Sequence, residues 1–133
     1  MSSVSESTVR AFIVRINSHD PGAIVALCTS DHVFTDSLGN RIKGRAALLP
    51  AWQGYFSLFP NYRVAVSHIL AVGPVVGVFG TASATLANVP GTSHSSWSIP
   101  AAWRAVVKGR LISEWQVYAD NKPVADLLDR RKA

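Results

Sequence analysis

The stretch His32-Val33-Phe34-Thr35-Asp36-Ser37-Leu38-Gly39-Asn40 decides how the chain reads. It predicts a short strand that ends in an acid and turns at Gly39-Asn40. Strand side chains alternate, so His32, Phe34 and Asp36 share one face. Apolar and aromatic segments flank this stretch on both sides. An acid on a strand among them is poorly placed unless it lines a pocket. The expectation is that the remaining elements wall a cavity and that Asp36 looks into it.

Toward the N-terminus, Val9, Phe12, Ile13 and Ile16 recur at helical spacing and predict a helix over 5–17. Asn17-Ser18-His19 breaks the pattern. Asp20-Pro21 then reads as an N-cap and first helical residue. That second helix runs to about Cys28, with Ile24, Leu27 and Cys28 inward. On the other side, Arg41–Lys43 makes a brief strand and Gly44-Arg45 precedes a helix over 46–58. Leu48, Trp52, Tyr55, Phe56 and Phe59 fall on one side of it. Pro50 is tolerable only in its first turn, and Pro60 stops it. Most of this aromatic stripe reads as core. Tyr55 is its most site-like member, because a buried hydroxyl needs a partner.

The second half alternates as strands over 62–72, 75–87, 95–107 and 111–119. Gly73-Pro74, the loop Asn88-Val89-Pro90-Gly91 and Lys108-Gly109 connect them, and Pro100 marks an irregularity. Asp120-Asn121-Lys122-Pro123 opens a short final helix, where Asp120 is either a cap or a pocket residue. Helices followed by long antiparallel strands make one α+β domain over 1–133.

Composition narrows the function classes. The chain has 133 residues, 48% hydrophobic and 16% charged, which suits a globular domain with a real core. The net charge of +5 sits largely in Arg41–Arg45 and in Arg130, Arg131 and Lys132. No basic helix face and no basic patch interleaved with aromatics accompanies it, so nucleic acid is not an expected partner. No apolar run approaches the ~20 residues of a membrane span. Met1 to Glu6 is polar, and Cys28 stands alone on an apolar face, which together suggest a cytoplasmic, reducing setting. His19, His32, His68 and His94 are isolated in sequence, and no Cys or His cluster has zinc spacing. No metal and no cofactor is expected.

The ordered set of short motifs resembles the SnoaL-like and ketosteroid-isomerase-like proteins of the nuclear-transport-factor-2-like superfamily. The resemblance rests on Asn17 and Asp20, Ile24-Val25-Ala26-Leu27, Phe34 to Gly39, Gly44-Arg45, Phe59-Pro60-Asn61-Tyr62, and Gly109-Arg110-Leu111-Ile112 with Trp115. It implies a cone-shaped, curved antiparallel sheet wrapped around three helices, the cystatin-like arrangement. It also implies that Asp36 takes the place of the proton-shuttling aspartate of ketosteroid isomerases. Their oxyanion-hole tyrosine falls on Phe12 and their protonated second aspartate near Ala101, neither of which donates a hydrogen bond. Losing one such donor costs a factor of about 10²–10³, so steroid isomerisation by that route is not expected. The last-strand aspartate of SnoaL-type polyketide cyclases falls on Gln116, so that acid/base pair is incomplete. Arg104 leaves open the Arg-centred arrangement of limonene-type epoxide hydrolases.

Within 111–119, Glu114, Gln116 and Tyr118 share one face and Trp115, Val117 and Ala119 the other. Periodicity cannot say which looks inward; the resemblance places Glu114 and Tyr118 on the cavity side. The expected site therefore has Asp36 and Tyr55 as catalytic groups. Phe12, Phe34, Trp52, Phe56, Trp103, Glu114, Gln116 and Tyr118 surround a small apolar cyclic ligand. Two function classes follow. One is a cofactor-free isomerase, cyclase, lyase or hydrolase in which Asp36 moves a proton. The other is a ligand-binding or dimerisation domain without turnover. The enzyme is placed first, because a pocket acid is costly to keep without use. A homodimer is expected through the outer sheet face, with Val64/Val66, Val76/Val78 and Trp115/Val117 facing the partner.

Overall fold

The computed structural model describes residues 3–87 and 95–132, so the Asn88–Gly91 loop and His94 lie outside the described residues. Helix α1 (Val4–Asn17) begins where the Ser3 hydroxyl accepts from the Glu6 N–H at 3.0 Å, and it buries Val9, Phe12, Ile13 and Ile16. Its last residue, Asn17, uses its side-chain amide to bond both the N–H and the carbonyl of Val64, at 2.8 and 2.9 Å. Helix α2 (Pro21–Ala26) is capped by Asp20, whose carboxylate accepts from the Ala23 N–H at 3.1 Å. It stops before the expected Cys28, because Cys28 already belongs to β1 (Cys28–Thr35).

Strand β2 (Arg41–Lys43) pairs with β1, and α3 (Arg45–Leu58) follows from Gly44. Pro50 lies inside α3, beyond the first turn in which a proline is expected to be tolerable. An interior proline costs a helix about 3 kcal/mol. Burial of Leu48, Trp52 and Phe56 on the same helix offsets that cost. Strands β3 (Arg63–Val72), β4 (Val75–Thr85), β5 (Ser96–Lys108) and β6 (Leu111–Ala119) come next, then α4 (Lys122–Lys132). At Gly80 on β4 a Cβ would collide with the Ala65 carbonyl, beside the bulge between Val66 and His68 of β3. Pro100, the expected irregularity, instead stays in register with Thr81; it sits just outside the last β5–β6 pair, Ala101 with Ala119.

The curved sheet runs β2-β1-β6-β5-β4-β3. Its pairings are antiparallel except that of β1 with β6, which is parallel. Parallel neighbours need a long connection between them, and here the whole middle of the chain supplies it. The β1–β6 register breaks between Cys28 and Val33, and His32 fills the break. Its Nδ1–H donates to the Ile112 carbonyl at 2.7 Å, and the residue is only 1% exposed.

The concave face holds the core. Trp103 and Trp115 stack at 6.2 Å, and Phe12 meets Trp115 edge-on at 5.0 Å. This corrects the expected dimer face. Val64, Val76, Val78 and Trp115 point into the core and Val117 lines the cavity, because the helices cover that side of the sheet, while Val66 is exposed. The outer face presents Leu70, Val72, Phe79 and Tyr118 instead. Among the described residues, no helix is long and apolar enough to cross a membrane.

Candidate functional site

A cavity of about 340 Å³ lies between α3, the concave sheet face and α4. That volume suits a small ligand. Helix α3 places Leu48, Trp52 and Tyr55 on it through the i, i+4, i+7 spacing of one helical face. Strand alternation places Trp97, Ile99 and Ala101 of β5 and Trp115, Val117 and Ala119 of β6. Val124 and Leu128 of α4 close another side, and Asp36, Ser37 and Asn121 are its polar lining besides the tyrosines.

A row of ring contacts runs through the wall. Phe34 meets Trp52 at 5.9 Å, Trp52 meets Tyr55 at 6.3 Å, Tyr55 meets Tyr62 at 5.0 Å, and Tyr62 meets Trp97 at 6.2 Å. Burial pushes the Tyr55 and Tyr62 phenols well above the usual range, and Tyr55 adds to the effect on Tyr62. Both therefore remain O–H donors at neutral pH. No described residue hydrogen-bonds either hydroxyl.

Asp36 lines the cavity at its rim, where the neighbouring Leu38 is 76% exposed. Asp36 is a half-buried residue, and the hydrogen bonds of its carboxylate are exposed. Its hydrogen bonds go to its own turn. Oδ1 accepts from the Leu38 and Asn40 N–H groups, both at 2.9 Å, and Oδ2 from Asn40 Nδ2 at 3.1 Å. Gly39 completes the turn with φ of +89°, a conformation that suits glycine. A carboxylate has about four acceptor positions, so one on Oδ2 stays free for a ligand.

The remaining expected site residues divide in three. Phe34, Trp52 and Tyr55 join Asp36 at the cavity. Phe12, Phe56 and Trp103 are core residues behind it, and Phe56 stacks on the His19 ring at 4.3 Å. Glu114, Gln116 and Tyr118 lie on the opposite side of the sheet. Trp115, Val117 and Ala119 of β6 face the cavity, so the inward reading of Glu114, Gln116 and Tyr118 is corrected. Glu114 pairs there with Arg104 at 3.2 Å, which removes Arg104 from the cavity as well. Asp120 accepts from the N–H of Lys122, the first residue of α4, at 3.0 Å.

Tyr62, Trp97 and Asn121 are among the lining residues absent from the expected site. Trp97-Ile99-Ala101-Trp103 did carry the alternation, but period two does not say which part of a 13-residue strand meets the cavity. Trp97 Nε1 is sealed without an acceptor among the described residues, and its ring packs edge-to-face on Phe59 at 5.4 Å. Cys28 is buried, and burial pushes its thiol up to about 12 against the opposing pull of Arg45. Among the described residues, no group of three His, Cys, Asp or Glu is placed to hold a metal.

A comparison with curated proteins finds no match. Solved structures share the fold. A candidate SnoaL-like polyketide cyclase from Shewanella denitrificans superposes with a TM-score of 0.83 at 16% identity, covering 97% of this chain and 99% of that one. A hypothetical protein of ketosteroid-isomerase-like fold from Catenulispora acidiphila, in complex with trimethylamine, gives 0.74 at 19% identity, over 84% of this chain and 83% of the other. TerC, co-crystallised with polyporic acid, gives 0.79 at 16% identity, over 96% and 99%. The family model of the SnoaL-like domain matches residues 9–115. This chain belongs to the SnoaL-like domain family.

Proposed function

We propose that the cavity takes a small, flat, largely apolar cyclic ligand and that the protein acts on it as a cofactor-free isomerase, cyclase or lyase. Asp36 carries the proton. The observation behind this reading is the aromatic cavity with a carboxylate at its rim that keeps one acceptor position unused. Asp36 Oδ2 takes a proton from a ligand carbon beside an electron-withdrawing group and returns it at the same or another atom. Fold relatives crystallised with polyporic acid and with trimethylamine fit a small-ligand cavity.

The second reading is a binder without turnover. It is favoured by the three bonds that tie Asp36 into its own turn. Proton exchange separates the two. In D₂O, 2-tetralone should exchange the hydrogens beside its carbonyl faster with the protein than without, as followed by NMR. Asp36→Asn keeps the shape and the Oδ1 contacts, and it should return exchange to the background rate. Exchange at background with the unaltered protein, while 2-tetralone still binds, would leave the binder.

The proposed assembly is a homodimer through the outer sheet face. Leu70, Val72, Val75, Phe79 and Tyr118 are 65, 80, 40, 46 and 49% exposed on that side. Light scattering at micromolar protein should give twice the chain mass of 14.3 kDa.

A further inference from the structure

We propose that the Tyr55–Tyr62 pair seats the uncharged carbonyl oxygen of the ligand, so the cavity selects ring ketones, quinones or lactones over hydrocarbons and carboxylic acids. This rests on the cavity being a ligand site.

The Phe59 N–H donates to the Tyr55 carbonyl at 2.8 Å, and the Tyr62 N–H donates to the Phe59 carbonyl at 3.1 Å. The end of α3 thus ties both tyrosines into one short turn. The His19 ring nitrogen donates to the Tyr62 carbonyl at 2.6 Å and fixes it from the other side. The rings meet nearly perpendicular, at 87°. A ligand group binding there need not order them first.

Among the described residues, the hydroxyls themselves have no partner. Buried phenols normally find one. Tyr62 is 8% exposed, and its cavity neighbours Phe59, Leu58 and Trp97 offer no side-chain acceptor. Both tyrosines line the same cavity, and two phenol donors match one oxygen that carries two lone pairs.

Charge decides which oxygen. Among the described residues no Lys or Arg lines the cavity, and the carboxyl group on it, that of Asp36, is at the rim. A carboxylate ligand would be desolvated without a cation and would face a like charge. A neutral carbonyl meets neither cost. The row of rings from Tyr55 through Trp52 to Phe34 leads toward Asp36, two residues beyond Phe34 on the chain. The carbonyl end and the carboxylate end of the site are therefore separate, and the flat body of the ligand spans the aromatic wall.

The test compares three probes of similar size: 2-tetralone, tetralin and tetralin-2-carboxylate. Trp52, Trp97 and Trp115 line the cavity, so quenching of their fluorescence reports binding. Two hydrogen bonds predict that 2-tetralone binds at least about tenfold tighter than tetralin. The carboxylate should bind more weakly than the ketone. Tyr55→Phe with Tyr62→Phe should bring 2-tetralone down to the tetralin level and leave tetralin unchanged. Infrared difference spectra should show the bound C=O stretch lowered, and the double substitution should restore it. Equal affinities, a tighter carboxylate, or a ketone preference that survives both substitutions would overturn the proposal while leaving the cavity as a ligand site. Binding of none of the three would overturn the ligand-site reading and this proposal with it.

Discussion

Lowering the pH from about 7.5 to about 5.5 should destabilise this protein through His32. The imidazole is 1% exposed, lies 6.3 Å from the Phe12 ring, and donates Nδ1–H to the Ile112 carbonyl. Burial holds its pKa below the ordinary histidine value. The Ile112 bond and the charges of Glu114 and Asp31 pull the other way and are outweighed. In the unfolded chain the same imidazole titrates near ~6.5. Below that pH the unfolded state binds a proton that the folded state refuses. The histidine's contribution is therefore full above ~6.5 and is lost as pH falls through the folded value. The loss approaches, at most, about 1.4 kcal/mol per pH unit between the two values. A domain of this size has about 5–15 kcal/mol in total, so one unit is a visible fraction. With a urea slope of about 1–3 kcal/mol/M, the midpoint should fall by roughly 0.5–1.4 M per pH unit. Carboxylate protonation dominates below about pH 5, so the comparison stays above it. His32→Gln keeps an N–H donor for Ile112 and removes the titration, so its midpoint should be nearly flat across the range. A flat midpoint in the unaltered protein, or an equal slope in His32→Gln, would refute the reasoning.

Three other outcomes follow from single contacts. Cys28, pushed up to about 12 by burial, should be inert to a thiol reagent in the folded protein at neutral pH and react at once in denaturant. Gly80→Ala forces a Cβ onto the Ala65 carbonyl and should cost about 1–3 kcal/mol by denaturant unfolding, with little effect on ligand binding. Burial raises the Tyr55 and Tyr62 pKa values, so their share of stability is whole below about pH 10 and lost as pH rises through the folded values. A phenolate absorbance titration should accordingly show Tyr55 and Tyr62 ionising only with unfolding.

Local signals were legible where the physics is local. The Val9-Phe12-Ile13-Ile16 stripe, the Asp20 cap and the Gly39 turn each depend on neighbours within a few residues. The bounds of β6 were read without error for the same reason, since alternation and the flanking Gly109 and Asp120 mark them. The face of β6 was another matter. Alternation says that Glu114, Gln116 and Tyr118 point together, but helices packing on one side decide which way. One wrong choice of side moved three expected site residues out of the cavity.

By itself, the sequence determined that Asp36 ends a strand beside apolar elements, that Tyr55 shares a helix face with Trp52, and that the chain follows a SnoaL-like order. Only the tertiary structure decided that Asp36 turns its oxygens back onto its own loop, that Pro50 is carried inside α3, and that β1 lies parallel to β6. It alone brought Tyr62 and Trp97 to the cavity beside Tyr55. The reason is the range of the forces involved. Turns and caps close bonds between near neighbours, whereas sheet order and cavity lining depend on where distant apolar faces are buried together.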